Sequence, residues 1–212
     1  GCSSEFIVGL ARLLGREVDS HELAINYRNP PNLLAHAVRL VRHNRGRIPK
    51  SPVAARADMA EVLAAPAGSA EAEIAGLAHR ARKAIAGGRH AREIAVLCRT
   101  NAHCGAVAEG LRSVGVPCRV RVEAEDREDA ADAVTVATYF RAKGLQWPVV
   151  FLPGCNEGLI PHPRAAVDGE RRLFYVALTR ASQELVASWV AVPRDEACPS
   201  RFLAEAGLVA PH

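Results

Sequence analysis

Two segments decide the fold: VTVATYFRAKGLQWPVVFLPG, residues 134–154, and ERRLFYVALTRASQELVASWV, residues 170–190. VTVAT and WPVVFL are short, unbroken apolar runs rich in β-branched residues, the pattern of strands buried on both faces of a parallel sheet. Between them lies the polar YFRAKGLQ, with a Lys143–Gly144 turn. In the second segment a helix is expected over Glu170–Ala181 and a strand over Leu185–Val190. A Lys–Gly turn and an arginine closing a helix, both beside such strands, point to anion recognition. Glycine lets backbone approach a phosphate closely, and a guanidinium offers forked donors to its oxygens.

Working outward, the pattern continues. SSEFIVGLARLLG (3–15) reads as a short amphipathic helix and HELAIN (21–26) as a strand. A helix over 33–44 follows, with Asn29 as its cap and basic residues Arg39, Arg42, His43, Arg45 and Arg47 toward its exit. Residues 45–57 read as a loop, 59–65 as a strand, and 69–86 as a helix capped by Ser69 and closed by Gly87–Gly88. EIAVLCRTN (93–101) is a strand with its exit loop, AVAEGLRSVG (106–115) a helix, and VPCRVRV (116–122) a strand. EAEDREDAADA (123–133) is acidic with no apolar stripe, a solvated linker or a short surface helix. Asn156–Gly169 reads as a long loop and Ser200–Ala206 as a final helical turn. Strands alternating with helices of these lengths predict an α/β fold with a mostly parallel sheet covered on both faces.

The 212 residues suffice for one domain, residues 1–212, with a substantial core. A hydrophobic share of 49% and a charged share of 24% fit a globular chain. The formal charge of +4 suits nucleotides or nucleic acid without being that of a basic arm. No apolar run approaches the about 20 residues of a membrane span. Gly1 is not an initiator methionine and no signal peptide is visible, so a piece of a longer or processed chain is expected, in the cytoplasm. Six cysteines occur without a CxxC pair. Cys98 and Cys118 fall in apolar strands, and His103 with Cys104 lacks the ligand spacing of a zinc site, so no metal is expected here. Trp147 and Trp189 read as core.

Three segments together resemble the C-terminal half of UvrD/Rep/PcrA-type superfamily-one helicases. INYRNPPNLLAHAVRLVRHNRGRIPK, within 21–47 and its tail, is similar to the fourth motif of that family. VTVATYFRAKGLQWPVVFLPGCNEGLIP, with its core at 134–152, is similar to the fifth. ERRLFYVALTRA, 170–181, resembles the sixth, and this match is highly specific. The resemblance implies a RecA-like three-layer α/β/α lobe, the second of two that clamp ATP and move along single-stranded DNA. By that resemblance Tyr27 stacks on adenine, Arg28 and Arg180 reach the terminal phosphate, and Gly144 and Gln146 lie near ribose and phosphates. Arg99, Thr100, Asn101, Thr138 and Phe140 face the DNA. ATP and magnesium belong to the whole enzyme, with the metal held by the missing N-terminal RecA-like lobe. Ligands of open α/β sheets gather outside the carboxyl ends of strands, where both arginines are accordingly expected. Two arginines converging there suit charge developing on a transferred phosphoryl group. Arg171 and Arg172 read as structural partners of Glu170 or nearby carboxylates.

The departures from the family pattern are specific. Phe140 stands where the family has a His, and Gln146 where it has a Glu. No phosphate loop and no Asp–Glu metal pair occurs. The short 123–133 linker stands where longer members carry a helical insert, so the resemblance is to the compact branch, which includes proteins fused to nucleases or bound to RNA polymerase. The sequence therefore reads as the second motor lobe of an ATP-dependent DNA helicase or translocase, inactive as an ATPase alone. The alternative is a non-catalytic docking module for a partner such as RNA polymerase. A metabolic phosphate-binding enzyme would need a Gly-rich loop after its first strand, and none is present.

Overall fold

A computed structural model describes residues 10–19, 21–45, 47–121, 132–191 and 198–210. The expected helix over 3–15 is seen only in its last part, α1 (Leu10–Leu14). The 123–133 linker lies outside the described residues except for Asp132 and Ala133. Of HELAIN only the last two residues form a strand, β1 (Ile25–Asn26). α2 (Pro31–Val41) begins on a proline, whose missing N–H costs nothing at a helix start. Pro30, and not Asn29, holds the cap position. The stretch read as a loop contains β2 (Val53–Ala54), which pairs in parallel with β1 in a two-stranded sheet of their own.

The main sheet begins with β3 (Glu61–Ala67). α3 (Ala70–Ala86) follows, capped as expected by the Ser69 hydroxyl, which accepts the Ala72 N–H. After β4 (Ile94–Cys98) comes α4 (Asn101–Ser113), which starts five residues earlier than the apolar pattern suggests. Thr100 caps it, accepting the His103 N–H at 3.1 Å. β5 (Cys118–Val120), β6 (Val134–Thr138) and β7 (Trp147–Leu152) come next. α5 (Val167–Leu178), β8 (Ala181–Val190) and α6 (Arg201–Glu205) complete the fold. α5 ends and β8 begins before the expected limits, so Arg180 sits in the corner between them. The six long strands run in parallel in the order β3-β8-β7-β4-β6-β5.

One face of the sheet is covered by α2, α5 and α6 through Leu33, Leu40, Phe174, Phe202 and Leu203. Phe174 lies between Tyr139 and Phe202, each ring 5.9 Å away. The other face is covered by α3 and α4 through Leu77, Val107 and Leu111, packed on Val96, Val136 and Phe151. Trp147 and Trp189 are buried, as expected. Arg171 ties the first layer together: its guanidinium donates to Glu205, to Asp168 and to Asn44 at the end of α2. It thus pairs with nearby carboxylates and not with Glu170. Arg172 is exposed and has no ion-pair partner among the described residues, contrary to expectation. No helix among the described residues is long and apolar enough to cross a membrane.

The connection from β6 to β7 is unusual. Parallel neighbours generally need a crossover of a dozen or more residues, commonly a helix. Here residues 139–146 alone return the chain from the carboxyl end of one strand to the amino end of the other, the two strands flanking β4. Tyr139 and Ala142 anchor this segment in the α2/α5 layer, and Gly144 turns it at a φ of +85°, a left-handed conformation that favours glycine.

Candidate functional site

The site begins with a turn. The Asn26 carboxamide oxygen accepts the backbone N–H groups of Arg28 and Asn29 at 2.9 and 2.8 Å, an Asx-type turn that reverses the chain after β1. The turn sends the Asn29 side chain inward, where it is fully buried. Its Nδ2 donates to the carbonyls of Thr179 and Ala181 at 3.1 and 3.0 Å. The fourth-motif segment is thereby fastened to the peptides on either side of Arg180.

Arg180 is held by neutral acceptors. Nε donates to the Val176 carbonyl at 2.9 Å, Nη1 to the Leu145 carbonyl at 2.8 Å, and Nη2 to the Thr179 hydroxyl at 3.1 Å. It is only 6% exposed and has no carboxylate partner among the described residues. Burial, and then the charge of Arg28, push its pKa down to about 10, with Tyr175 opposing. The guanidinium therefore stays charged at neutral pH, with two of its five N–H donors uncommitted. Burial raises the Tyr175 phenol, while Arg180 and Arg28 both pull it back. Arg28, Tyr175 and Arg180 thus share one electrostatic neighbourhood. The Tyr27 ring beside them is 75% exposed, and Gly144 and Gln146 are exposed on the loop that supplies the Leu145 carbonyl.

This cluster corrects one expectation. Arg180 precedes β8 and Gln146 precedes β7, so they meet at the amino end of the sheet, not the carboxyl end. The carboxyl end holds the other group. Arg99, Thr100, Asn101, Thr138, Phe140 and Arg141 line an open cavity of about 390 Å³ there. Arg99 forks onto Glu170 at 2.7 and 2.8 Å, and Glu170 also accepts the His162 N–H at 3.0 Å. Arg99 is thus held in an ion pair, which raises its pKa, and is not a bare cation. The Thr100 hydroxyl caps α4, and Thr138 is nearly buried. Phe140 is 66% exposed, with the Lys143 ammonium 4.2 Å from its ring centre. Behind this cavity His103 lies against Gly154 with its Nδ1 buried and unpartnered, and burial lowers its pKa.

The parts played by Asn29, Tyr175 and Arg141 are not visible in the sequence. Asn29 had been assigned a local capping role, and its actual partners lie about 150 positions away in sequence. Tyr175 stands inside the sixth-motif stretch, and only the fold shows that it shares the surroundings of Arg28 and Arg180. Arg141 neighbours a family-type position without occupying one.

A six-stranded parallel sheet between two helical layers, with arginines from separated segments at its amino end, is a RecA-like lobe. Comparison with known proteins places it further. The UvrD-like helicase C-terminal domain matches residues 21–125 and 120–191, and the chain belongs to that family. PcrA of Bacillus subtilis, an ATP-dependent DNA helicase, is 50% identical over 66 residues, 29% of this chain and 9% of that protein. The helicase srs2 of Schizosaccharomyces pombe is 50% identical over 68 residues, 32% of this chain and 8% of its own length. UvrD1 of Mycobacterium tuberculosis H37Rv is 43% identical over 88 residues, 37% of this chain and 11% of that protein. The matched stretch thus spans about a tenth of these relatives. The crystal structure of the C-terminal domain of a possible DNA helicase from Lactobacillus plantarum WCFS1 shares the fold. Its TM-score is 0.60 at 23% identity, over 85% of this chain and 94% of that one.

Proposed function

We propose that the chain is the second motor lobe of an ATP-dependent DNA helicase or translocase. The observation that carries this reading is Arg180: a buried guanidinium, aimed by three neutral acceptors, with Arg28 as its charged neighbour and no carboxylate partner among the described residues. Burying a cation without a counter-ion is costly, and the arrangement is relieved when an anion arrives. A triphosphate supplies that anion. In this reading Arg28 and Arg180 act as catalytic residues on its terminal phosphate when the other lobe closes. Tyr27 covers the adenine, and Gly144 and Gln146 approach ribose and phosphates. Magnesium would be held by the other lobe, whose phosphate loop has no counterpart here.

The cavity at the carboxyl end fits one part of a single-stranded DNA track. Phe140 offers a stacking face, and the Thr100–Asn101 helix start and Arg141 offer polar contacts to phosphates. The lobe by itself lacks the lysine and metal ligands that phosphoryl transfer requires, so it is inactive alone. Phosphate release by the purified chain, with and without single-stranded DNA, tests this. No turnover above a heat-treated control is expected, with turnover restored by adding or fusing a lobe that carries a phosphate loop. Turnover by the chain alone, or none after that lobe is supplied, would overturn the reading.

A further inference from the structure

A different cavity, of about 320 Å³, opens toward the amino ends of β6 and β7. Its lining includes Arg92, Arg119, Arg121, Thr135, Gln146 and Trp147. Arg119 on β5 and Thr135 on β6 are register partners, so their side chains share a face of the sheet. That face is the one opposite α4, since Val134 and Val136 on either side of Thr135 belong to the α3/α4 core. Thr135 is 2% exposed, and its hydroxyl is buried without a hydrogen-bond partner. Neither Arg92 nor Arg119 has an ion-pair partner among the described residues. Of the described acidic groups nearby, Glu93 lines the cavity and accepts the His90 N–H at 3.0 Å, and Asp132 accepts the Arg92 N–H at 2.9 Å and pairs with the His90 ring.

We propose that this cavity binds a phosphate-bearing anion, held by Arg92, Arg119 and the Thr135 hydroxyl. A strand hydroxyl buried without a partner is destabilising unless something accepts from or donates to it. Two guanidiniums beside it present several N–H donors to an oxyanion carrying more than one charge, and their forks match phosphate oxygens. The cavity shares its 145–147 wall with the Arg180 corner, because the Leu145 carbonyl takes Nη1 of Arg180 and the Trp147 N–H donates to the Arg180 carbonyl at 2.9 Å. An anion here is therefore placed to stiffen the segment that aims Arg180. The inference stands on this cavity's own geometry and does not use the roles proposed for Arg28 and Arg180.

The test is titration of the chain with sodium pyrophosphate, read by the fluorescence of Trp147 in a Trp189→Phe background. A saturable change is expected. Arg119→Gln and Thr135→Val should each weaken it about tenfold, the loss of one hydrogen bond to a charged group. Thr135→Val should leave the melting temperature of the free chain unchanged or raised, because it removes an unpartnered hydroxyl, so weaker binding cannot be attributed to misfolding. Parallel titration with a short oligo-dT separates the sources of the phosphate. Competition with pyrophosphate supports the site with nucleic-acid backbone as its ligand, and absence of competition supports it with a small phosphate. No saturable change, or binding indifferent to both Arg119→Gln and Thr135→Val, would overturn the proposal.

Discussion

Asn29 and Arg180 are fastened together although they are far apart in sequence: the Asn29 carboxamide donates to the carbonyls of Thr179 and Ala181, the residues on either side of the arginine. The backbone carrying Arg180 is thereby fixed from the fourth-motif side, while its side chain is fixed from the fifth-motif side by the Leu145 carbonyl.

Asn29→Ala should leave two buried carbonyls without their donor and destabilise the chain by about 2–4 kcal/mol. Asn29→Asp should be no milder, since a carboxylate cannot donate to those carbonyls. Urea denaturation of the three proteins checks this, and a loss under about 1 kcal/mol for both variants would mean that the carbonyls find other partners.

In the two-lobed motor proposed above, Arg180→Lys should harm DNA-stimulated ATP turnover nearly as much as Arg180→Ala. Lysine keeps the charge but cannot occupy three divergent acceptors and still face a phosphate. Arginine fingers contribute on the order of 10³–10⁵ in turnover, and the low end is expected because Arg28 remains. Binding of a non-hydrolysable ATP analogue should fall far less than turnover. Equal losses in both measurements would refute a role confined to the transition state.

Arg99→Ala should act mainly on stability. It strips Glu170, 5% exposed, of its fork partner and leaves the His162 N–H as its remaining hydrogen bond, a loss of about 3 kcal/mol. Phe140→Ala, on an exposed ring, should instead spare stability and weaken single-stranded DNA binding by about 1–3 kcal/mol. Thermal melting and fluorescence anisotropy of a labelled oligonucleotide, run on both variants, separate these effects. A Phe140→Ala protein that binds DNA normally would remove the ring from the track.

Stability should decline as the pH falls below the usual imidazole value of 6.5, in part through His103. Burial lowers its folded pKa, so the unfolded chain takes up the proton first. The neutral-form stability is therefore present above 6.5 and is lost as pH falls toward the folded value. Melting temperatures from pH 8 to 5 should drop less steeply for His103→Gln than for the parent chain. Parallel curves would show that His103 does not contribute.

The central strands were legible because Val134–Thr138 and Trp147–Leu152 are buried on both faces and carry no polar residue that needs an outlet beyond Thr135 and Thr138. The α2 start was legible from its prolines, although the cap was not: Asn29 has the chemistry of a cap, and only the fold shows that two distant carbonyls take its donors instead. Residues 21–24 stay outside β1, although the Ala24 carbonyl accepts the Val53 N–H at 2.8 Å, and no local pattern reveals where the pairing begins. The end of the sheet at which Arg180 falls was misjudged although the element order already carries it: a residue that closes a helix and precedes a parallel strand stands at that strand's amino end. Ala181 to Glu184 look helical by composition but pair with β7. The Arg99–Glu170 pair joins positions 71 apart, and charge pairing at that range has no signature in one sequence.

The short return from β6 to β7 has a mechanical consequence. Register places Thr138 beside Cys98 and Val149 beside Ile94 on the strand between them, so residues 139–146 cover roughly 20 Å along the sheet. The segment makes that span folded into turns, with the Ala142 N–H on the Thr138 carbonyl at 3.0 Å and the Leu145 N–H on the Ala142 carbonyl at 3.1 Å, so its own hydrogen bonds take up the slack. Phe140 stands near one end of it, and the carbonyl that grips Arg180 near the other. A push on the ring at the carboxyl end is then passed along this turn-braced tether to the guanidinium at the amino end, as a connecting rod passes a stroke. Lengthening that tether by a few glycines should leave both ends intact and let each move without the other.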